Sequence, residues 1–257
     1  MYKVLVGCCG WAVRGGKSAY FSRFKIVEVQ ETFYQLPSES TVAKWRSMAP
    51  SDFVFSMKAW QAITHPLSSP TWRRARKKPP REKANLYGFL RPTEENFKAW
   101  EDTMKIAKAM GAKVCVVQCP SSFKPTDENV RNAETFFSSI SRDGVLIAWE
   151  PRGEWNEHLD LVKRICDRYD LIHVTDLLRR YPVSSHHVAY TRLHGLGPRE
   201  VNYRYKYTDH DLKMLLERVK SLLDEKDQVM VLFNNIYMAE DAQRFQNILR
   251  EEGLYQS

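Results

Sequence analysis

Eight short apolar runs, most of them halted by a polar residue or by a glycine or proline corner, limit what this 257-residue chain can fold into. They are Val4–Cys8, Ile26–Thr32, Phe53–Lys58, Ala112–Gln118, Leu146–Glu150, Leu171–Asp176, Val188–His194 and Val229–Asn235. Runs of this size read as strands, and near-continuous hydrophobicity marks strands covered on both faces. Helical stretches lie between most of them. One over 38–48 starts at Ser40 or Thr41 and is followed by Pro50, and another opens with Thr93-Glu-Glu-Asn96 and ends at Gly111. Others are predicted over 126–139, 158–169, 209–223 and 239–251. Strands alternating with helices imply a parallel sheet, and eight is the number at which such a sheet closes. The expectation is an α/β chain forming a single (β/α)₈ TIM barrel over residues 1–257, since such barrels use about 250 residues as one domain. An open doubly wound sheet is the alternative, but no glycine-rich dinucleotide fingerprint follows the first strand.

Charge is distributed unevenly. Residues 66–85 hold Arg73, Arg74, Arg76, Lys77, Lys78, Arg81 and Lys83 against Glu82 alone, which accounts for +6 of a formal net charge of +8. With Pro66, Pro70, Pro79 and Pro80 nearby, this reads as a basic loop insertion (66–92) within the βα unit of strand three. Trp72 among the cations Arg73, Arg74, Arg76, Lys77 and Lys78 is a pattern that can neutralise phosphates and stack a base, although a charge run is more often a solvated loop. Five cysteines, two of them adjacent at Cys8 and Cys9, with no charged-plus-apolar leader, point to reduced thiols and a cytoplasmic protein. No apolar run approaches the roughly 20 residues a bilayer demands, so no membrane association is expected.

The polar residues at the strand ends are the candidate site, because in α/β folds ligands bind outside the carboxyl ends of the strands. Glu28, Lys58, Glu150, Arg192 and His194 form the candidate catalytic set. Gln30, Tyr34, His65, Gln118, Arg152, Trp155, Asp176, Asn234 and Asn235 are candidate ligand contacts. Glu28 with Gln30, Ser56 with Lys58, and Arg192 with His194 share parity within their strands, which aims them at the barrel axis. The plainer reading of the same charges is a buried ion-pair network.

Several segments in order resemble the YecE-like family, domain-of-unknown-function family 72. They are Gly7-Cys-Cys-Gly-Trp11, 27–34 with Leu36-Pro-Ser38, Lys58 with Ile63-Thr-His65, 118–123, Glu150-Pro-Arg152 with Trp155, Arg192-Leu-His-Gly195 and Phe233-Asn-Asn235. The resemblance spans residues 7–242 and implies a TIM barrel similar in shape to those of endonuclease IV and xylose isomerase, with a polar pocket at the strand ends and no assigned activity. Gln30, Pro151 and Gly153 depart from the family's usual pattern.

Three chemistries follow. A divalent metal held by Glu28, Glu150, Asp176, His194 and His65 would suit phosphodiester hydrolysis. A metal-free site would bind phosphate or carboxylate through Lys58, Arg152 and Arg192, with Asn234 or Asn235 orienting the ligand, Glu28 or Glu150 as general base and His194 as acid. A thiolate site from Cys8, Cys9 and Cys119 lacks CxxC spacing. The leading expectation is a barrel binding a phosphate-bearing ligand, nucleic acid first, with hydrolase activity. The alternative is a barrel enzyme for a sugar or sugar phosphate with the basic loop as a lid.

Overall fold

A strand buried on both faces must satisfy its backbone within a sheet, and the apolar runs do so in the computed structural model, which describes residues 3–255. The first two residues, included above in the search for a leader, lie outside the described residues. In chain order the elements are β1 (Val4–Cys8), α1 (Gly16–Phe21), β2 (Ile26–Val29), α2 (Glu31–Tyr34), α3 (Glu39–Met48), β3 (Val54–Lys58), α4 (Glu94–Met110), β4 (Ala112–Gln118) and α5 (Asp127–Ser139). There follow β5 (Leu146–Glu150), α6 (Leu159–Arg168), β6 (Ile172–His173), β7 (Val188–Leu193), α7 (Asp209–Leu223), β8 (Gln228–Phe233) and α8 (Met238–Glu251).

All pairings are parallel and the order is β6-β5-β4-β3-β2-β1-β8-β7. A single bridge, Thr175 to Thr191, joins the two ends of that order, and the Arg192 amide donates to Thr175 O at 3.0 Å beside it. The ring is therefore closed at its weakest seam by few bonds. Strand parity sorts the core into two shells. Leu5, Ile26, Val114, Val116, Ala148, Ile172, Tyr190, Met230 and Leu232 fill the barrel, while Val6, Val27, Phe55, Cys115, Val117, Ile147, Trp149 and Val231 face the helices. Each such side chain stabilises the fold by about 1.5–3 kcal/mol. Gly7 has to be glycine, because a Cβ there would lie 2.0 Å from Ile26 O on the neighbouring strand.

The predicted helix ranges hold to within a residue or two, although Ser38, not Ser40 or Thr41, marks the start of α3. Ser38, Thr93 and Thr126 cap α3, α4 and α5, Thr208 and Asp211 form a reciprocal capping box on α7, and Gly111 ends α4 at φ 65°. Two expectations change. The second strand stops at Val29 and not at Thr32, because Gln30 has turned helical (φ −90°, ψ −25°) and the Thr32 hydroxyl bonds Lys58 O at 2.7 Å. The sixth strand keeps two ladder residues of the six expected, and no helix follows it before β7. The basic stretch is the β3–α4 connection, with 3₁₀ turns at Pro70–Arg74 and Arg81–Leu86. Among the described residues no helix is long and apolar enough to cross a membrane.

Candidate functional site

Glu28, Lys58, Glu150 and Arg192 come from four strands, and the ring brings them to one mouth. Arg192 lies between the two glutamates: Nη2 donates to Glu28 Oε1 at 2.9 Å and Nη1 to Glu150 Oε2. Glu150 Oε1 also accepts from Arg152 Nε at 3.0 Å and Nη2 at 2.7 Å. Glu28 accepts from the Tyr190 hydroxyl at 2.9 Å and from the Gln30 amide. Neither carboxylate is left without cationic or hydroxyl donors.

Burial alone would raise the Glu150 carboxyl, but Arg152 and Arg192 hold it well below the usual carboxylate range. His194 Nε2 lies 3.0 Å from Arg152 Nη2 and accepts from it, so the imidazole is neutral. Burial, then the Arg152 charge, holds it far below its ordinary value. Of the two bases expected from the sequence, Glu150 is held too weak for the role and Glu28 is engaged by Arg192, Tyr190 and Gln30, while the expected acid His194 carries no titrating proton near neutral pH.

Lys58 is in a different state. Its Nζ donates to Gln118 Oε1 at 3.0 Å and sits 3.7 Å above the Phe33 ring. Among the described residues no carboxylate lies within ion-pair distance of it. Burial, then repulsion from Arg192, lowers its pKa to about 7. The amine faces a cup of about 570 Å³ lined also by Trp11, Gln30, Tyr34, Arg74, Gln118, Arg152, Arg192, Tyr203 and Asn234. Arg74 belongs to the basic connection and reaches the rim, where it bonds the Tyr34 hydroxyl at 2.5 Å.

Other expected contacts lie elsewhere. Trp155 is fully buried in the outer shell, stacked on Phe123 and bonded to Phe123 O at 2.5 Å, because its indole completes the core under the β5 turn. Trp72 is also buried, with its indole N–H on His65 O at 3.3 Å, so it pins the loop and cannot stack a base. His65 packs edge-on against Phe33 and bonds Thr64 at 2.8 Å; burial, then the nearby Lys58, drops its pKa to about 3. Asn235 spends its amide on Tyr205 O and on Asp241, both at 2.7 Å, leaving Asn234 to line the cup. Asp176 faces a smaller cleft, where it accepts the His194 amide at 2.9 Å and burial raises it to about 6. Arg73, Arg76, Lys77 and Lys78 are exposed. Tyr190 and Tyr203 were not foreseen, although Tyr190 sits two residues before Arg192 on the same parity, which is a readable signal.

The donor set does not fit a divalent metal. Both glutamates are paired by Arg192, with Arg152 supplying the second positive charge at Glu150, and among the described residues no three His, Cys, Asp or Glu side chains converge. Cys8, Cys9 and Cys119 are free and buried, and burial pushes Cys8 and Cys119 up to about 12.

The model of a family described as "Protein of unknown function DUF72" matches residues 5–256. No curated protein matches the chain. Among solved structures, a DUF72 family protein from Thermotoga maritima is similar at 24% identity and a TM-score of 0.71, covering 97% of this chain and 100% of that one. A xylose isomerase domain containing protein from Salmonella typhimurium superposes at 12% identity with a TM-score of 0.56, over 98% of each chain. Endonuclease IV from Thermus thermophilus does so at 12% and 0.54, over 96% of this chain and 99% of that one. At these identities the likeness concerns the barrel.

Proposed function

This chain belongs to the DUF72 family of proteins of unknown function, and from its cup we propose that it binds a small molecule bearing a phosphate or carboxylate at the carboxyl ends of its strands. The observation that carries the reading is Lys58, a buried cation facing the cup with no carboxylate partner. Arg74 on the rim and the edge of Arg152 add donors, and of the acids at the mouth Glu28 and Glu150 are held by guanidinium groups while Glu31 lines the rim of the cup. Charge-assisted bonds of this kind are about twice as strong as neutral ones. The basic connection acts as part of the cup wall, since Trp72 anchors it and Arg74 reaches the rim. That favours a small ligand over a polymer.

A nucleic-acid contact is supported by one separate observation: Arg73, Arg76, Lys77 and Lys78 are exposed on the same connection. Such a contact would be electrostatic and without base stacking, because Trp72 is buried. The hydrolase reading has no fitting metal site, and both of its candidate bases are engaged, Glu150 by Arg152 and Arg192 and Glu28 by Arg192 and Tyr190.

Titration calorimetry with orthophosphate and with malonate tests the main reading. Binding is expected in the full chain, weakened at least about tenfold by Lys58→Met, as befits loss of a charge-assisted bond worth ~1.5–3 kcal/mol. Absence of binding by either anion, together with salt-sensitive oligonucleotide binding lost on neutralising Arg73, Arg76, Lys77 and Lys78, would replace it with the nucleic-acid reading.

A further inference from the structure

The cup holds an amine where an anion site needs only a charge. Lys58 Nζ is fixed by one neutral acceptor, Gln118 Oε1 at 3.0 Å, and by the Phe33 ring beneath it at 3.7 Å. A lysine meant solely to bind anions works best fully protonated and mobile, as a strongly hydrated point charge. This one is stripped of water on the protein side, given no carboxylate, and set against an aromatic face. The charged groups around it are Glu28 on β2, Glu150 with Arg152 at the end of β5, and Arg192 on β7, with Glu31 and Arg74 lining the same cup, while His65 beyond Phe33 stays neutral. The two glutamates are committed to the arginines, so the repulsive partners of Lys58 outweigh the attractive ones.

We infer that Lys58 is a nucleophilic amine that forms an imine with the aldehyde or ketone of an anionic carbonyl compound held in the cup. This rests on the anion-binding reading and names the substrate class for it. The lone pair of neutral Nζ forms a C–N bond to the carbonyl carbon as the C=O π bond breaks. The oxygen takes up a proton, and nitrogen gives one up through solvent in the open cup. The hydroxyl takes up a second proton from solvent as the C–O bond breaks and leaves as water, the nitrogen lone pair forms the C=N bond, and the remaining N–H proton returns to solvent. One water is lost overall, with no oxidant or reductant. The depression of the amine to about pH 7 makes the neutral form available at physiological pH.

The test uses the full chain with glycolaldehyde phosphate and, in parallel, uncharged glycolaldehyde, trapped by sodium cyanoborohydride and located by peptide mass mapping. Lys58 should be the principal labelled lysine, reacting about 10–100-fold faster near neutral pH than surface lysines, whose ordinary value is about 10.4. Its labelling should rise through about pH 7 and be competed by orthophosphate. Lys58→Arg, which cannot form the imine, should lose the fast label. If orthophosphate binds but neither aldehyde labels Lys58 ahead of surface lysines, the imine is overturned and the anion cup stands. If glycolaldehyde labels Lys58 selectively while orthophosphate neither binds nor competes, the imine is upheld and the anion reading is overturned.

Discussion

Arg192 and Lys58 stand on β7 and β3, which lie across the ring from one another, and both are buried cations at the same mouth. Arg192 is locked between Glu28 and Glu150 and extended by Arg152, so that its side of the cup is electrostatically closed. Lys58 has an amide oxygen and a ring. The contrast separates charges that hold the barrel mouth together from a charge that is left for a ligand. A planar guanidinium can satisfy two carboxylates at once, whereas an ammonium on a flexible stem changes its protonation when buried.

The largest expected effect breaks the closed side. Arg192→Met leaves the buried Glu28 without a cation and Glu150 with Arg152 alone, and should cost ~3–5 kcal/mol in urea unfolding. A loss below about 1 kcal/mol would mean that the network contributes little. The next effect is acid lability. His65 and His173 are held near pKa values of about 3 and about 4, so below about pH 6.5 the unfolded chain binds protons that the folded chain refuses, and stability falls as pH falls. Glu150 adds to this below the ordinary carboxylate range, and Asp176, raised to about 6, works in the opposite direction. Unfolding midpoints measured from pH 8 to 4 should drop, with a slope of at most ~1.4 kcal/mol per pH unit for each histidine, and His65→Gln should flatten the curve. A flat profile in the parent protein would contradict the neutral histidines.

On the open side the sign reverses. Lys58→Met removes a buried amine that lacks a counterion and should stabilise the fold by ~1–3 kcal/mol while weakening anion binding. A destabilised variant would instead make Lys58 a member of the network. The smallest effect belongs to the rim: Arg74→Ala should leave stability within ~0.5 kcal/mol, and calorimetry should show anion binding weakened only a few-fold.

The barrel was legible because its signals are local. Apolar runs, a cap such as Thr93 and a stop such as Gly111 act within a turn or two of chain. The convergence of Glu28, Lys58, Glu150 and Arg192 was legible too, since strand parity and a common rim follow once the ring closes. What failed was anything set by packing around a side chain. Trp72 and Trp155, candidate ligand contacts by sequence, are core, and the second strand ended early because Gln30 and Thr32 serve the β2–β3 corner.

By itself the amino-acid order determined that eight buried strands would carry acids, amides and cations to one end, because period and polarity are properties of neighbours in the chain. Only the tertiary structure decided which acid meets which cation. Arg192 reaches both glutamates and Lys58 reaches neither, a difference of a few ångströms that depends on register and closure. Because Coulombic pairing and desolvation change steeply over that distance in a buried site, the same residue types became a sealed network on one side and an available amine on the other.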